Sequence, residues 1–345
     1  MESDTSSIKT EQNTGDELFV PSFIQSDDIP WEKSIAYRFL AKPGEHLIEI
    51  GITGSGKTQG LYYLLNGILD YSKGETILWI TCGKSSEELK LMQFMPTNFL
   101  FPKGRNVKIE LYKKVYPWTT YQFRSIPDIF EHIDKEKINI LCLAPYFPDP
   151  EEYSIVITEF FKTLIVLARD GVIPTPLAIF IDEFQMVAPA RGQALNEMHS
   201  MGGRWMQRNL DQLRSMGIRI VAAAQAWKRV LQGVRMSFSC IMIRQGAEFP
   251  ANEIKRLAMA NDNWQALNIK DMRFAFRNRF YTDPMTLPTY GDGWVVGKVT
   301  YEDFTGRQRV RDIDIDELLD SYKKKPKHTE TESESDLDNE DVSAN

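Results

Sequence analysis

The chain has 345 residues, of which 42% are hydrophobic and 26% charged, as is typical of a globular protein. It has no apolar run long enough to span a bilayer, and its polar, acidic N-terminus does not resemble a secretory signal, so we expect a cytoplasmic protein without membrane insertion. The net charge of −7 comes from the ends, because residues 1–28 carry −6 and residues 329–345 carry −7, which leaves +6 for residues 29–328.

Both ends are acidic and poor in large apolar residues, so we predict disorder over 1–28 and over 323–345. The C-terminal tail begins with the basic stretch KKKPKH, which suits either a solvated linker or a contact with nucleic acid. One folded domain is therefore expected over 29–322. The three cysteines lie far apart in apolar runs, which favours buried thiols over a disulfide or a metal site: Cys82, Cys142 and Cys240.

Apolar, strand-like runs alternate with helical patterns along the chain. The runs are 46–51, 75–81, 138–144, 177–182 and 218–225, and the helical patterns are 57–71, 84–93, 151–169 and 193–216. Strands that are apolar throughout require a sheet covered on both faces. The alternation predicts an α/β fold with a mostly parallel central sheet and helices on both faces. A further strand is expected at 239–244, and the late segments RFAFRNRFY and DGWVVGKV are expected to form antiparallel strands at one edge. The segment 94–136 is a candidate inserted lobe.

A glycine-rich loop separates the first strand from the first helix. The sequence Gly51-x-x-x-x-Gly56-Lys57-Thr58 has the spacing of a P-loop. Backbone N–H groups and the helix N-terminus suit a phosphate, Lys57 suits the β- and γ-phosphates, and the Thr58 hydroxyl suits Mg²⁺. ATP and Mg²⁺ are the expected cofactors, and the alternative is a glycine-rich turn that binds nothing. The predicted nucleotide-binding residues are Thr53, Gly54, Ser55, Gly56, Lys57 and Thr58.

Two acidic residues end the apolar strand LAIFID at 177–182. Carboxylates at the C-terminal end of a parallel strand lie where such sheets bind ligands. We expect Asp182 to hold Mg²⁺ and Glu183 to act as the general base on the attacking water. The alternative is that the two residues only cap the next helix.

A third strand, within LRSMGIRIVAAAQAW, ends at Gln225. A glutamine there suits sensing of a γ-phosphate or orientation of water, although most strand-end glutamines only terminate a strand. With HLIEIGITGSGKT at 46–58 and AIFIDEF at 178–184, the segment RSMGIRIVAAAQ at 214–225 resembles the HerA/FtsK superfamily of ATPases. The resemblance covers roughly 45–245 and weakly 272–300. It implies a RecA-like P-loop NTPase fold with Lys57, Glu183 and Gln225 as catalytic residues.

The same resemblance implies an arginine finger that a neighbouring subunit supplies in trans. By spacing this finger is Arg214, which lies three residues before Gly217. The family often has glycine before that arginine, whereas this chain has Leu213. The departure leaves other arginines as rivals: Arg204, Arg208 and Arg219. For each of them the alternative is a solvated position on a helix face.

The positive charge of the central region lies in residues 191–235, which contain eight basic and two acidic residues. Basic residues near a nucleotide site suit either a channel for phosphate backbones or an ordinary surface. The resemblance implies an ATP-driven ring, most simply a hexamer, that moves double-stranded DNA. Packaging into a virion, transfer between cells and chromosome segregation are the candidate tasks, with a capsid, portal or transfer-apparatus protein as a further partner. The short N-terminus and absent membrane segment favour packaging or mobile-element transfer.

A second class of function stays open in which an ATPase powers or switches a protein assembly, of the secretion or pilus type, without moving DNA. A small-molecule kinase is disfavoured because lid and acceptor-site signatures are not evident.

Overall fold

A computed structural model describes residues 39–81, 87–112, 117–256, 267, 269–276, 280–281, 285–288, 297–303 and 314–323. The tail 1–28, for which we expect disorder, lies outside the described residues, as do Cys82 and all of the tail 323–345 except Lys323, which ends a helix. Among the described helices, none has both the length and the apolar character needed to cross a bilayer.

Strands and helices alternate through most of the described chain. The strands are β1 Leu47–Ile50, β2 Thr76–Ile80, β3 Thr97–Pro102, β4 Arg105–Leu111, β5 Trp118–Phe123, β6 Ile138–Leu141, β7 Leu177–Ile181, β8 Ile218–Ala224, β9 Cys240–Ile243, β10 Asp271–Phe276, β11 Phe280–Tyr281, β12 Met285–Thr286 and β13 Gly297–Asp303. The helices are α1 Lys57–Tyr71, α2 Glu87–Leu91, α3 Ile126–Glu131, α4 Pro150–Arg169, α5 Glu197–Ser215, α6 Gln232–Arg235, α7 Ala251–Arg256 and α8 Asp314–Lys323. Single 3₁₀ turns occupy Phe184–Met186 and Trp227–Arg229.

Eleven of the 13 described strands form one large sheet, in the order β11-β10-β9-β1-β8-β7-β2-β6-β3-β5, with β12 paired to β10. Neighbours from β9 to β5 run parallel, and β10 pairs antiparallel with β9, β11 and β12. The central strands β1, β2 and β6 to β9 are buried along their whole length, as a sheet covered on both faces requires. The predicted α/β fold, with a mostly parallel sheet and an antiparallel edge, is confirmed.

An aromatic stack fixes the first helix on the sheet. Tyr62 of α1 stacks on Trp79 of β2 with ring centroids 5.6 Å apart, and Trp79 stacks on Phe180 of β7 at 5.2 Å. All three side chains are buried. Large buried aromatic surfaces contribute strongly to core stability, so the helix after the glycine loop and the strand before Asp182 share one packed core.

The segment 94–136 does not stand apart as the lobe that we expected. Its strands β3 and β5 join the large sheet beside β6, in parallel, and its strand β4 pairs antiparallel with β13 in a separate two-stranded sheet. Strand β3 lies within the large sheet because all six of its residues are buried from solvent, on both of its faces. The segment therefore widens the sheet at the edge far from the glycine loop.

The thiols that the structure describes are buried, as their apolar surroundings predict. Cys142 and Cys240 are free and inaccessible to solvent. Burial raises the pKa of each thiol well above its usual range. A buried thiol of raised pKa is a poor nucleophile and metal ligand, so these two cysteines belong to the core.

Candidate functional site

The order of the sheet brings the three predicted motifs to one edge. Strand β8 lies between β1 and β7, with Ile50 beside Ala224 and Ile181 beside Ala222. Because these strands are parallel, the residues that follow them emerge at the same carboxyl edge. The glycine loop, Gln225 and the acidic pair thus lie side by side, at the position where parallel sheets bind ligands.

The glycine loop runs from the end of β1 to the start of α1. Gly54 and Gly56 have φ values of 82° and 80°, a left-handed backbone that favours glycine. The buried Lys57 turns back over the loop, and its Nζ donates to the carbonyl oxygens of Gly51 and Ile52, both at 3.0 Å. Its ammonium group is thereby held at the loop, where phosphate oxygens offer it stronger, charged acceptors.

A buried arginine that the sequence analysis did not identify forms hydrogen bonds with this loop. Arg244 follows β9, and it donates to the carbonyl oxygen of Ser55 from Nη2 at 2.9 Å and from Nε at 3.2 Å. Its Nη2 also donates to the carbonyl oxygen of Ile269 at 2.8 Å. A Cβ at Gly56 would lie 2.8 Å from the same nitrogen, so the guanidinium needs a glycine there. Arg244 thus supplies the hydrogen-bond donors for the Ser55 carbonyl oxygen.

The partner of this arginine is a carboxyl group inside β1. Glu49 is fully buried, and its Oε1 lies 3.3 Å from Arg244 Nε. Burial raises the pKa of Glu49 well above its usual range, although the positive charges of Arg244 and Lys57 oppose this rise. The sequence signals were Glu49 inside an apolar strand and Arg244 directly after another, because buried charges are rare unless they are paired.

The acidic pair lies at the end of β7, close to the loop. Asp182 is buried, and its Oδ1 accepts the backbone N–H of Glu183 at 3.0 Å. Glu183 has φ 59°, and it is the only non-glycine residue with positive φ in the described part of the chain. Such strain is concentrated at functional sites. The capping alternative finds no support, since Glu183 makes no side-chain cap to the 3₁₀ turn Phe184–Met186.

A chain of hydrogen bonds surrounds the Glu183 carboxylate. The Gln225 amide Nε2 donates to both of its oxygens at 3.1 Å, and Gln185 Nε2 donates to Oε2. The Gln225 carbonyl oxygen accepts in turn from Arg229 Nη1 at 3.1 Å. The structure thus brings the predicted residues Glu183 and Gln225 into direct contact, and it adds Gln185 and Arg229.

The residues expected at a magnesium ion have suitable chemistry. Thr58 offers a hydroxyl in the first turn of α1, and Asp182 offers a carboxylate of which one oxygen is used by the Glu183 N–H. Mg²⁺ prefers such oxygen ligands and retains several waters. The Asp182 carboxylate and the Thr58 hydroxyl are therefore the groups suited to this ion.

Arg214 lies far from the site of its own chain. It is exposed in the last turn of α5, just before β8, and its backbone carbonyl faces Gly44 ahead of β1. Strand β8 has seven residues, which at ~3.3 Å each separate the two edges of the sheet by about 20 Å. Arg214 is thus at the amino edge, whereas the glycine loop is at the carboxyl edge.

Arg219 is removed from the rivals for the finger, because it is fully buried. Its Nε and Nη2 donate to the two oxygens of Glu75 at 2.7 Å each, and its guanidinium also donates to the backbone carbonyl oxygens of Phe39 and Leu40. A guanidinium held in this way by core groups does not reach another subunit. Arg204 and Arg208 remain exposed on α5.

The basic region 191–235 is less charged at the surface than its sequence indicates. Arg219 is buried with Glu75, and Arg235 is largely covered over the Trp227 ring at 5.4 Å. With Glu197 and Asp211 also exposed, the six exposed basic residues give this surface a charge of +4 rather than +6. These six residues are Arg191, Arg204, Arg208, Arg214, Lys228 and Arg229.

No protein-family model matches the sequence, and comparison with curated proteins finds no match. Solved structures of P-loop ATPases do match. The genome packaging NTPase B204 from Sulfolobus turreted icosahedral virus 2, in complex with ATP-gammaS, is 11% identical, with 71% of this chain and 98% of that chain covered and a TM-score of 0.41. The DNA-packaging ATPase B204 from Sulfolobus turreted icosahedral virus is 13% identical, with 72% and 100% covered and a TM-score of 0.43.

A secretion ATPase also matches. ATPases 2 and 3 of Thermomonospora curvata EccC, in complex with a signal sequence peptide, are 13% identical, with 73% of this chain and 38% of that chain covered and a TM-score of 0.38. These similarities are too low to carry the role of a residue from one chain to another.

Proposed function

We propose that the chain is an ATPase of the HerA/FtsK superfamily that works as a ring and moves double-stranded DNA. The observation that carries the proposal is the meeting of three motifs at one sheet edge, with Gln225 Nε2 3.1 Å from the Glu183 carboxylate and the glycine loop on the neighbouring strand. Each motif alone has an ordinary structural explanation, but their convergence provides a phosphate cradle, a metal ligand and a base.

The roles within the site follow from the chemistry of the groups. The loop N–H groups and Lys57 bind the β- and γ-phosphates of ATP, and Asp182 with Thr58 holds Mg²⁺, which neutralises phosphate charge. Glu183 accepts the proton of the attacking water, and Gln225 orients that water. Phosphoryl transfer depends mainly on such positioning and on charge stabilisation.

A ring is proposed because the finger cannot act within one chain. Arg214 is exposed at the amino edge, about 20 Å from the carboxyl edge where the motifs meet. An arginine in this position serves the nucleotide of a neighbouring subunit. A closed ring, and in particular a hexamer, gives every subunit such a neighbour.

Duplex DNA is proposed as the polymer because exposed basic residues lie on α5 and on the turn Trp227–Arg229, which follows Gln225. Contacts with phosphate groups bind DNA without reading its sequence, and they weaken as salt rises. The resemblance to DNA-pumping ATPases favours genome packaging or mobile-element transfer as the task, with a portal or transfer-apparatus protein as the partner.

The test is the rate of ATP hydrolysis with and without duplex DNA, over a range of salt concentrations. We expect acceleration by DNA that falls as salt rises, and no hydrolysis by Lys57→Ala under any condition. If DNA does not change the rate of hydrolysis and the protein shows no salt-sensitive binding to DNA, the proposed motor is contradicted. An ATPase that powers a protein assembly would then be favoured. Absence of any hydrolysis by the wild-type ring would contradict the proposal as a whole.

A further inference from the structure

The acidic C-terminal tail has no part in the proposed site, and the structure shows where it leaves the fold. Residues 329–345 carry seven acidic and no basic side chains, which gives them a charge of −7. The described chain ends at Lys323, the last residue of α8. Blocks of like charge often serve as interaction segments, and an acidic one suits a basic surface. The place of α8 in the fold therefore determines which basic surface the tail reaches.

Helix α8 packs against α4, close to the middle of that helix. Ile315 and Leu319 of α8 are buried, and the two helices are in contact. Burial and the negative charge of Glu159 together raise the pKa of Tyr322, so the last turn of α8 lies beside Glu159. Because α4 spans Pro150–Arg169, the tail leaves the fold near the middle of α4.

Helix α5 lies against the same part of α4. Thr158 Oγ1 donates to the carbonyl oxygen of Met198 at 3.5 Å, and a Cβ on Gly202 would lie 2.4 Å from the same hydroxyl oxygen. The axes of helices in such close contact are about 8–10 Å apart. Arg204 and Arg208 follow Gly202 on α5, and both are exposed. The tail thus leaves the fold one helix away from two exposed arginines.

The side chains of Arg204 and Arg208 form a basic face on α5. They are one helical turn apart, so they lie on the same side of the helix. Neither guanidinium forms a hydrogen bond or an ion pair with another described residue. Guanidinium groups bind carboxylate and phosphate groups through charge-assisted hydrogen bonds. The α5 basic face is therefore suited to an anionic partner.

The described surface nearest to the start of the tail offers weaker partners. Helix α8 itself exposes Glu317 and Asp320, whose negative charges repel the tail. On α4, Lys162 is already paired with Glu159 at 3.4 Å. Residues 324–328 separate α8 from the acidic segment, and five residues span up to about 17 Å, which exceeds the distance between neighbouring helix axes. The acidic segment can therefore reach the α5 basic face.

We propose that the α5 basic face is the docking surface for the acidic tail 329–345 of its own subunit, and that duplex DNA displaces the tail from it. The carboxylates of the tail and the phosphates of DNA are both anions that a guanidinium binds, so they compete for Arg204 and Arg208. The choice of DNA as the competitor rests on the proposed function, whereas the docking of the tail does not.

The first experiment measures the Kd for duplex DNA of the full chain with a neutralised tail. In this variant the seven acidic residues of 329–345 are replaced by their amides, and in the control variant the seven acidic residues of 1–28 are replaced in the same way. We expect the neutralised tail to tighten DNA binding about tenfold at low salt, because several surface ion pairs no longer have to be broken. The gain should shrink as salt rises, and the control should bind DNA as wild type does. Equal gains in both variants would mean general repulsion and would overturn the proposal, as would no gain in a wild type that binds DNA.

A second comparison locates the docking surface. In the Arg204→Gln/Arg208→Gln background the tail has lost its partners, so neutralising the tail should improve DNA affinity less than about twofold. Lys228→Gln/Arg229→Gln removes two other exposed basic residues, and in that background the gain should stay near tenfold. If the gain is the same in both backgrounds, the tail does not dock on the α5 basic face.

A third measurement does not depend on DNA. A fluorescein-labelled peptide of residues 329–345 is added to the full chain with the neutralised tail, and binding is followed by fluorescence anisotropy. A tethered segment has an effective concentration on the order of 1 mM, so a tenfold effect corresponds to a peptide Kd of about 0.1 mM. Binding should be lost in the Arg204→Gln/Arg208→Gln background and kept in the Lys228→Gln/Arg229→Gln background.

The peptide separates this inference from the proposed function. If wild type binds no DNA but the peptide binds through Arg204 and Arg208, the DNA motor fails and the docking of the tail is supported. If the peptide does not bind at concentrations up to about 1 mM, the docking is wrong, even where DNA binding supports the motor.

Discussion

The guanidinium of Arg244 donates to the carbonyl oxygen of Ser55 twice, at 2.9 Å and 3.2 Å. A loop that cradles phosphate has to present its N–H groups inward and its carbonyl groups outward. Arg244 supplies donors for one carbonyl of this loop. It is therefore a positioning residue for the nucleotide, 189 residues away from Ser55 in the sequence.

Replacement of Arg244 should affect stability and nucleotide binding separately. Arg244→Met leaves the buried Glu49 carboxyl without its partner, so the free energy of unfolding should fall. In the double variant Glu49→Gln/Arg244→Met no buried charge is left unpaired, so most of this stability should return. ATP affinity should stay about tenfold below wild type, since Ser55 still lacks its donor. Denaturant unfolding and titration with ATP measure the two quantities, and wild-type affinity in the double variant would disprove the support of the loop.

Lys57→Ala should abolish nucleotide binding. The ammonium group lies at the loop, where it donates to the carbonyl oxygens of Gly51 and Ile52, and phosphates offer it charged acceptors. Binding of a fluorescent ATP analogue provides the measurement. Lys73→Ala, which removes an exposed lysine just beyond the end of α1, is the control and should bind normally. Unchanged turnover in Lys57→Ala would remove the P-loop assignment.

Glu183→Gln should bind ATP but hydrolyse it at least about 10²-fold more slowly, because the amide does not accept the proton of the attacking water. The variant keeps the size of the side chain at a strained position of φ 59°. Single-turnover hydrolysis, measured beside ATP affinity, separates chemistry from binding. Glu197→Gln changes an exposed glutamate at the start of α5 and should hydrolyse ATP as wild type does. Equal rates for the two variants would mean that another group activates the water.

The motifs could be predicted from the sequence because each is local. In each motif an apolar run predicts the strand, and the functional group follows within a few residues. That group is the glycine loop after the first strand, Asp182 after the second and Gln225 after the third. Whether a charged side chain is buried or exposed depends instead on partners that are distant in the sequence. From the local sequence, Arg219 is a candidate for a solvent-exposed arginine. In the structure it is buried and paired with Glu75, which is 144 residues away in the sequence.

The same limit explains what the sequence did not reveal about the site. Glu49 and Arg244 form one buried pair only because β1 and β9 are neighbours in the sheet. Arg229 lies four residues after Gln225 and contacts its amide oxygen through the turn Trp227–Arg229. Neither relationship follows from local spacing, since each depends on the order of strands or on the path of a turn.

Acid should destabilise the fold through His46. Its Nδ1 accepts the N–H of Ile220 at 3.0 Å, its Nε2 donates to the carbonyl oxygen of Leu210 at 2.9 Å, and burial lowers its pKa to about 4. Between about pH 6.5 and 4 the unfolded chain therefore binds a proton that the folded chain does not. The free energy of unfolding thus falls as the pH is lowered through this window, by at most about 3 kcal/mol.

Denaturant unfolding at pH 7 and at pH 4.5 measures this loss. His46→Gln keeps an acceptor and a donor but does not titrate, so its loss of stability between the two pH values should be smaller than that of wild type. Carboxylates elsewhere titrate in both proteins and cancel in the comparison. The same loss in both proteins would exclude His46 as the cause.

Arg214 should act only across a subunit boundary. Arg214→Ala is expected to bind ATP normally but to lose most hydrolysis in the assembled ring, since an arginine finger contributes about 10³–10⁵ in rate. Glu183→Gln subunits lack the base but still present Arg214 to their neighbours. Mixing the two inactive variants should therefore restore active interfaces, in which an intact Glu183 faces an intact Arg214. The same mixing with Arg204→Ala and Arg208→Ala tests the two exposed rivals. If only one of those variants is inactive and regains activity on mixing, that residue is the arginine finger. If no mixture regains activity, the proposal that a neighbouring subunit completes the site is wrong.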